Sequence, residues 1–571
     1  MENKITTPYK KIFKSLDDIY LDKEKTFKDI RDLLVPGTGA FSKDEYDDKN
    51  TIDYQRLLDS EPASYLSTTI AGLYGGMINP ASRWFDLTFN KGNARYQGMD
   101  TYAISVTLEN ITDFMYYILN KSNFYSAMYR AFVEWVAYGA GVLLVEERDW
   151  DFIFFNNLTV GEYRLGTNEW GDYTKLARCI GMSADKIISS FPKDNIPDRV
   201  IQTYNKGDIK TKFKVYHLIT ENTDGDILPL NFKFLDLYWL PEMEEGRFLR
   251  VSGFYSNPII VLPFDRKSSR TVYPMGIGEK ILGDVKELQY TVKCLNINKS
   301  YLAKPPLALH TSLGNKPILP GATFYTEQDP TKVASEIFRV NPYIVELEDS
   351  RTRLLDKIRK TTMADYLMLF AQQQRPNMTA REVSAIVAEQ MTLLAPIYMQ
   401  CKQGLQNTFN RILDICVRRN VFSNIYNIDF KDIEIEFMSS IAKAQRMAEV
   451  GSIQDLIMYL SGIAQLKPSA LDYLNEDNIV KGIAERLGNV SMLRSDDEVS
   501  QIRQAQSEAQ AHAMEMEAQA QRMKIAKDAS KAKLDPATVL GQEMLNQGQA
   551  LPPESYAQYE KMAREGNNNV K

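Results

Sequence analysis

The apolar positions of the first 140 residues follow a helical period. They recur every three or four positions in the opening segment, again after a helix start at Ser60, and again over about residues 102–138. The apolar run 84–89 between the last two segments predicts a short strand. The pattern therefore predicts a largely helical N-terminal region that ends at the glycine-rich turn 139–141.

The pattern changes to short β-rich runs from about residue 142 to residue 273. Val142–Val145, Phe152–Phe155 and Pro258–Val261 are examples, and turn residues separate them. One helix is predicted inside this region, opened by Ser183 and closed by Pro192. Helices and strands that alternate in blocks in this way indicate a mainly helical α+β fold.

Two long helical patterns, 276–303 and 346–374, flank a segment that is rich in proline and glycine. Residues 304–344 cannot be helical throughout, so we expect a small α/β excursion between the two helices. Six apolar residues of the first helix form a seam that needs neighbouring helices: Ile281, Val285, Leu288, Val292, Leu295 and Leu302.

A connector at 375–378 leads to another long helix of about 40 residues. Thr379 and Glu382 form a capping box at its start, and Pro396 in its interior predicts a kink. From about Ile433 the pattern is helical again.

The last helix is predicted to start at a second capping box, Ser495 and Glu498, and to run to about residue 533. Its apolar seam contains only four residues, seven positions apart: Ile502, Ala509, Met516 and Met523. So thin a seam cannot be buried against one domain. The helix is either a solvated tail or one helix of an oligomeric bundle.

Composition narrows the class of protein. The chain has 571 residues, of which 44% are hydrophobic and 25% charged, as in a soluble globular protein of three or four compact units. The 68 Lys and Arg residues against 74 Asp and Glu residues exclude a globally basic nucleic-acid binder. The four cysteines show no paired spacing, and no apolar run is long enough to span a membrane, so we expect synthesis in the cytoplasm.

The motifs of common catalytic centres are absent from the sequence. It has no phosphate loop of the GxxxxGK[ST] type, no HExxH and no GxSxG. His217, His310 and His512 lie far apart, and we interpret each as a packing or surface residue. We predict no enzyme activity, no metal and no cofactor.

Several passages are similar to one known family. Residues 252–293, SGFYSNPIIVLPFDRKSSRTVYPMGIGEKILGDVKELQYTVK, resemble the matching passage of the podovirus head-to-tail connector, or portal, protein family. Residues 163–192, 378–391, 441–468 and 491–510 also resemble it, and the similarity extends in unchanged order over about residues 10–525. The family often has Tyr-Gly-Arg and a Trp where this chain has Tyr273-Pro274-Met275-Gly276 and Phe264, so the turn there is expected to differ.

The resemblance implies a portal fold assembled as a ring of identical subunits, typically twelve, at one vertex of a tailed-phage capsid. Its implied divisions are a wing at 1–275, stem helices at 276–303 and 345–374, a clip at 304–344, a tunnel-loop tip at 375–378, a long kinked wing helix and following strand at 379–432, a crown at 433–494, a barrel helix at 495–535 and a disordered tail at 536–571.

Three groups of residues become candidate contact sites under this resemblance. The predicted tunnel loop would place Gln373, Gln374, Arg375 and Asn377 in the DNA channel, although an ordinary polar loop is the alternative. The second stem helix carries a basic face of Arg351, Arg353, Lys357, Arg359 and Lys360, which faces either DNA or solvent and neighbouring carboxylates. In the clip, Lys304, Lys316, Lys332 and Arg339 would dock partners or would simply be solvated.

The implied partners are those of a passive conduit. They are double-stranded DNA, bound without sequence preference, the terminase packaging motor, the major capsid and scaffolding proteins, a tail adaptor and internal ejection proteins. The implied location is the virion, and no insertion into a membrane is expected. Two rival functions stay open, a nucleic-acid-bound enzyme and a non-portal oligomeric scaffold.

Overall fold

The protein divides into two units, residues 1–487 and residues 488–571. The computed structural model describes residues 6–41, 56–81, 83–89, 101–148, 152–208, 210–243, 247–303, 307–309, 334–336, 344–365, 380–421, 433–437, 440–464, 474–487, 493–494 and 496–531.

The helices within the described residues lie in both units. Those of the first unit are α1 (Thr6–Leu33), α2 (Glu61–Met77), α3 (Thr101–Lys121), α4 (Phe124–Tyr138), α5 (Ala184–Ser190), α6 (Asp198–Asn205), α7 (Ile277–Ala303), α8 (Ile344–Thr361), α9 (Ala380–Arg418), α10 (Ser440–Ala464) and α11 (Glu476–Leu487). The second unit contains α12 (Asp496–Lys531).

The described strands all belong to the first unit. They are β1 (Phe85–Phe89), β2 (Ala140–Arg148), β3 (Phe152–Leu158), β4 (Tyr163–Thr167), β5 (Tyr173–Ser183), β6 (Lys212–Glu221), β7 (Phe234–Trp239), β8 (Arg250–Phe254), β9 (Ile259–Pro263), β10 (Leu307–Leu309), β11 (Ala334–Glu336) and β12 (Ile433–Phe437). Antiparallel pairing gives a five-stranded sheet β4-β5-β6-β7-β8, a three-stranded sheet β3-β2-β9, and the pairs β1-β12 and β10-β11.

The main core surrounds α4. Ten of the fifteen residues of this helix are buried, and Phe132 and Trp135 are completely inaccessible to solvent. The helix contacts α2, α7 and the three-stranded sheet. Apart from the exposed Ser126, Tyr129 and Arg130, most of the circumference of α4 is apolar, so the helix can pack on several elements at once.

The end of α4 is fixed by a close approach between two glycines. Gly139 ends the helix at a φ of +101°, and a Cβ there would lie 2.3 Å from the carbonyl oxygen of Pro274. A Cβ on Gly276 would in turn lie 2.5 Å from the backbone nitrogen of Gly139. Only glycine fits both positions, and their contact joins the start of β2 to the start of α7.

Much of the predicted secondary structure is confirmed. The structure contains the helices predicted around residues 6–33, 61–77, 184–190, 277–303 and 380–418, and the strand at 85–89. The mixed helical and β character of the predicted fold class is confirmed as well. Pro396 lies inside α9, and its kink stays a prediction.

The helical spacing predicted over 102–138 is confirmed, but it is divided between two separate helices, α3 and α4. The break falls at Ser122 and Asn123. The Asn123 amide nitrogen donates to the carbonyl oxygen of Phe155 at 2.8 Å, and its amide oxygen accepts from the Phe155 backbone N–H at 2.9 Å. Asn123 therefore makes hydrogen bonds to β3 at the point where the helix stops. Local periodicity could not reveal this break, because it depends on a contact that is distant in sequence. The short helix α6 was also missed.

Helix α8, which was predicted to cover residues 346–374, is shorter than predicted. It ends at Thr361 instead of continuing unbroken to 374, and Met363 adopts a positive φ of 59°. The carbonyl oxygen of Thr362 accepts a hydrogen bond of 2.8 Å from the Thr69 hydroxyl of α2. A contact to another helix thus satisfies a carbonyl at the break. Residues 366–374 lie outside the described residues.

The prediction of helix from about Ile433 is wrong at its start. Residues 433–437 form β12, which pairs with β1 from Phe85↔Phe437 to Phe89↔Ile433. Ile433 and Ile435 are buried, while Glu434 and Glu436 are exposed. That alternation has the two-residue period of a strand. The strand expected within 379–432 stays a prediction, because residues 422–432 lie outside the described residues.

Candidate channel and assembly surfaces

Helices α7 and α8 form an antiparallel hairpin, the predicted pair of stem helices. Lys299 near the end of α7 pairs with Glu348 near the start of α8 at 2.8 Å. Lys357 near the end of α8 pairs with Asp284 near the start of α7 at 2.7 Å. Opposite charges at both ends fix the direction and register of the hairpin, although each pair is partly exposed and weak by itself.

The apolar seam of α7 is mostly buried within the chain. Five of its six predicted residues are at most 7% exposed, and all of these except Leu295 pack in the main core, which also contains Leu355 and Ile358 of α8. Leu302 is the exception at 55% exposure. The neighbours that the seam needs are therefore helices of the same chain, and the seam does not by itself indicate contact with other copies.

A second apolar face of α7 remains exposed. Tyr290, Ile297 and Tyr301 are 69%, 44% and 46% exposed. Their spacings of seven and four residues place them on one side of the helix, away from the buried seam. We call these three residues the α7 face. An aromatic surface of this kind indicates a contact surface.

Ion pairs attach the hairpin to α1 and α2. Arg351 of α8 binds Asp59 at 2.8 Å and Glu61 at 2.7 Å. Lys286 of α7 binds Asp29 of α1 at 2.6 Å. Burial alone would raise the pKa of Asp29, but hydrogen bonds from Lys286 and Arg56 outweigh it and hold that pKa below its usual range. The hairpin is therefore anchored by charge as well as by apolar packing.

The predicted basic face of α8 lies in the described part of the chain. Arg351 is engaged as above, Lys357 binds Asp284, Arg353 binds Asp349, and Arg359 binds Asp356 and Asp365. Lys360 is exposed and has no carboxylate within ion-pair distance among the described residues. Four of the five cations are thus paired with carboxylates of their own chain. Whether this face meets DNA stays a prediction.

Two other predicted contact sites lie outside the described residues. They are the tunnel-loop group, Gln373, Gln374, Arg375 and Asn377, and the clip group, Lys304, Lys316, Lys332 and Arg339. Within the predicted clip the structure describes β10 and β11, which pair antiparallel from Leu307↔Glu336 to Leu309↔Ala334. The chain therefore doubles back between α7 and α8.

The predicted barrel seam lies on the surface of α12. Ile502, Met516 and Met523 are 36%, 71% and 74% exposed, and Ala509 is exposed as well. Met514 and Ile525 on the same helix are also exposed. Packing of this seam against further copies stays a prediction.

A buried network of polar side chains, which no sequence pattern predicted, crosses the five-stranded sheet. Nε of Arg178 donates to Nδ1 of His217 at 2.7 Å, and Nε2 of His217 lies 2.6 Å from a carboxylate oxygen of Asp236. Since Nδ1 accepts, Nε2 must carry the proton and donate to Asp236. Burial, with Arg178 close by, lowers the pKa of His217 to about 4, so the ring is neutral at neutral pH.

The hydrogen bonds of this network do not have the arrangement of a catalytic triad. The Ser252 hydroxyl donates to Asp236 at 2.6 Å, whereas a nucleophilic serine would donate to the histidine. The histidine nitrogen that would serve as a base already accepts from Arg178. The network connects β5, β6, β7 and β8, and it makes His217 a buried packing residue with saturated nitrogens.

Among the described residues, no group of three or more His, Cys, Asp or Glu side chains is arranged to hold a metal ion. None of the helices described is both long enough and apolar enough to cross a membrane.

A helical hairpin with an exposed aromatic face, anchored to a body of two sheets, is typical of a subunit built to assemble with further copies. The chain belongs to the bacteriophage head to tail connecting protein family, whose sequence model matches residues 6–491. It is 27% identical over 497 residues to the probable portal protein of Bordetella phage BPP-1, covering 84% of this chain and 87% of that protein. It is 25% identical over 503 residues to the portal protein of Salmonella phage epsilon15, with the same coverages. The predicted family and the portal role are confirmed.

Proposed function

We propose that this chain forms a closed ring of about twelve identical subunits at a single capsid vertex, through which double-stranded DNA enters and leaves. The observation that carries the proposal is the match to the connector family and to two portal proteins over most of the chain. The ring, its subunit number and its position in the virion belong to the proposal.

The α7 face is the proposed site of contact between neighbouring subunits. Its two tyrosines and one isoleucine are exposed in the single chain although the opposite side of the same helix is buried. Burying such side chains against an adjacent copy removes apolar area from water and stabilises the ring. A closed ring provides that neighbour for every subunit, so no copy of the face is left exposed.

The charge distribution of α8 supports a conduit that lets DNA slide. Each cation that neutralises a phosphate displaces counterions and adds affinity that depends on salt. Arg351, Arg353, Lys357 and Arg359 are already paired with carboxylates of their own chain, so they offer little free positive charge. We propose a lumen that is acidic or neutral apart from a few basic rings, with Lys360 and the tunnel-loop residue Arg375 as the candidates.

The proposed partners follow from the connector role. They are the packaging motor, which would perform the ATP hydrolysis, the capsid and scaffolding proteins during assembly, and a tail adaptor with internal ejection proteins afterwards. We assign motor and adaptor docking to the predicted clip with Lys304, Lys316, Lys332 and Arg339. These assignments rest on the family role.

Electron microscopy of the purified full chain tests the ring. We expect closed particles with an axial hole about as wide as a DNA duplex, and a particle mass near twelve subunits by mass photometry. Monomers, open filaments or rings without a hole would contradict the proposal and would favour a non-portal scaffold. ATPase or nuclease activity of the purified protein would revive the enzyme alternative.

A pair of variants tests the α7 face separately. We expect Ile297→Asp with Tyr301→Asp to abolish rings, because two buried charges per interface cannot be solvated. The control is Tyr204→Asp on α6, which changes a tyrosine of 49% exposure far from the hairpin in sequence. Rings that form equally well from the double variant would remove the α7 face from the interface and leave the ring itself untouched.

A further inference from the structure

Helix α12 has a second apolar face, which lies outside the predicted barrel seam. Met514 and Ile525 are 71% and 56% exposed. Ala511 and Ala518 are exposed as well, and the four residues follow one another at spacings of three, four and seven positions. Such spacings keep side chains on one side of a helix. We call Ala511, Met514, Ala518 and Ile525 the second α12 face.

The second α12 face lies nearly opposite the predicted barrel seam. Met514 and Met516 are two positions apart, and so are Met523 and Ile525. Because each residue turns the helix by about 100°, the members of each pair point about 200° apart, or about 160° by the shorter way round. The helix therefore presents apolar side chains in two nearly opposite directions.

Polar residues separate the two apolar faces on both sides of the helix. Two strips of exposed residues, each with members seven positions apart, lie between the faces: Glu508, Glu515 and Arg522, and Gln510, Glu517 and Lys524. Two apolar faces thus alternate with two polar strips around α12. This alternation is typical of a helix that packs on two partners and is solvated on its two other sides.

Neither apolar face is covered by the described residues. Met516 and Met523 of the barrel seam are 71% and 74% exposed, and the second α12 face is open to a similar extent. The sequence beyond α12, residues 532–571, is a single segment. Even as one helix it would be only about as long as α12 itself, so it could cover one face but not both. Two separate partners are therefore needed.

We propose that each α12 contacts two neighbouring copies of itself, with the barrel seam of one copy packed against the second α12 face of the next. The proposal rests on the proposed ring and specifies one of its contacts. A closed ring gives every subunit one neighbour on each side, so both faces of every copy are buried. Their burial removes methionine and isoleucine side chains from water.

The angle between the two faces decides the size class of the assembly. In a closed ring of helices, the directions to the two neighbours differ by about 150° for twelve helices and by about 90° for four. A two-stranded coiled coil needs only one apolar face on each helix. The separation of about 160° on α12 therefore fits a wide ring and excludes a small bundle.

The symmetry of a ring also fixes which residues meet. Rotation about the ring axis makes neighbouring helices parallel and places equal residue numbers at the same height. Met516 of one copy is then level, within about one turn, with Met514 or Ala518 of the next. The contact joins two different faces, so a residue does not meet its own copy. In a two-fold pair, by contrast, identical faces meet.

Disulfide cross-linking of the full-length protein tests this contact. The informative variant combines Met514→Cys with Met516→Cys, and Ala511→Cys or Ala518→Cys in place of Met514→Cys covers a shift of one turn. Wild type is the first control, because its four cysteines are buried or half-buried. The matched control combines Glu517→Cys with Met516→Cys, which places the second thiol on a polar strip.

After oxidation we expect the informative variant to give a ladder of covalent multimers up to the mass of the whole ring. Met514→Cys alone and Met516→Cys alone should give no covalent multimers. An equal mixture of these two single variants should stop at covalent dimers, because each chain then carries only one of the two thiols of a contact.

The other outcomes separate this contact from the ring itself. Covalent dimers from either single variant alone would refute the proposal, because identical faces would then meet. A ladder from the matched control would refute it as well. Closed rings in electron microscopy without cross-links at any tested pair would remove the contact and retain the ring. A ladder without closed rings would support the contact and contradict the proposed ring.

Discussion

Helices α4 and α12 differ strongly in how much of their surface is buried. α4 has 15 residues, ten of them buried, and aromatic rings occupy much of its surface. α12 has 36 residues, and all its described side chains are exposed except the half-buried Val499. Both helices are recognisable in the sequence, but among the described residues only α4 has a buried face.

The difference shows that helical sequence and helical stability have separate origins. α12 is built from alanine, glutamate, glutamine and lysine, which have high intrinsic helix propensity. Propensity adds only fractions of a kcal/mol per residue, so an exposed helix is marginal until it packs. α4 contains aromatic residues of weaker propensity and is stabilised by burial.

Removing one aromatic ring from α4 should have the largest effect. Phe132 is completely buried against Tyr74 and Trp135, so Phe132→Ala is expected to lower the free energy of unfolding by about 3–5 kcal/mol. Met523→Ala removes a large side chain of 74% exposure from α12, and it should change the free energy of unfolding by less than about 0.5 kcal/mol. Urea unfolding of both variants measures the difference. Equal losses would show that α12 is packed in the protein in solution.

A buried carboxyl of α4 should make stability depend on pH. Glu134 is buried, accepts hydrogen bonds from the Thr159 hydroxyl at 2.6 Å and the Val160 N–H at 3.1 Å, and has its pKa raised to about 7 by that burial. The folded state therefore holds this proton more tightly than the unfolded chain. The stabilisation from Glu134 is complete below about pH 4.5 and is lost as the pH rises through about 7.

We expect Glu134→Gln to remove up to about 3 kcal/mol of this pH dependence. His217, whose pKa is lowered to about 4, acts in the opposite direction below its usual value of 6.5, so the difference between variant and wild type isolates Glu134. Glu515→Gln on exposed α12 is the matched control and should leave the curve unchanged. Unfolding curves from pH 4.5 to pH 8 measure the effect, and parallel curves for wild type and Glu134→Gln would refute it.

Deleting residues 495–571 should have the smallest effect on the stability of the first unit. The core around α4 is built entirely from residues of that unit, so we expect its thermal midpoint to change by no more than a degree or two. Ring formation and genome ejection are the sensitive readouts, because the exposed seam of α12 is predicted to pack only between copies. Unchanged ring assembly together with unchanged ejection would count against a barrel.

Local sequence patterns predicted the elements whose signals lie within one segment. The three-to-four spacing located α1, α7 and α9, and the change to short β-rich runs located the sheets. The errors occurred where a partner distant in sequence decides the outcome. Asn123 ends α3 by pairing with Phe155, Thr69 bonds at the break after α8, and Ile433–Phe437 is a strand because β1 pairs with it.

The contact sites were predictable to a smaller extent. The basic face of α8 was recognised as a run of cations, but spacing could not show that Arg351 pairs with Asp59, nearly 300 residues earlier. The buried network of Arg178, His217 and Asp236 had no signal at all, because its three members come from three separate strands.

The family, the mixed fold and the two helices of the hairpin are predictable from the sequence, because periodicity, caps and a long ordered resemblance are properties of the chain alone. The folded structure was needed to show which apolar face of α7 is buried, where helices break and which charges are compensated. Those outcomes depend on residues far apart in sequence that fold into contact, and burial and ion pairing act on distances in space.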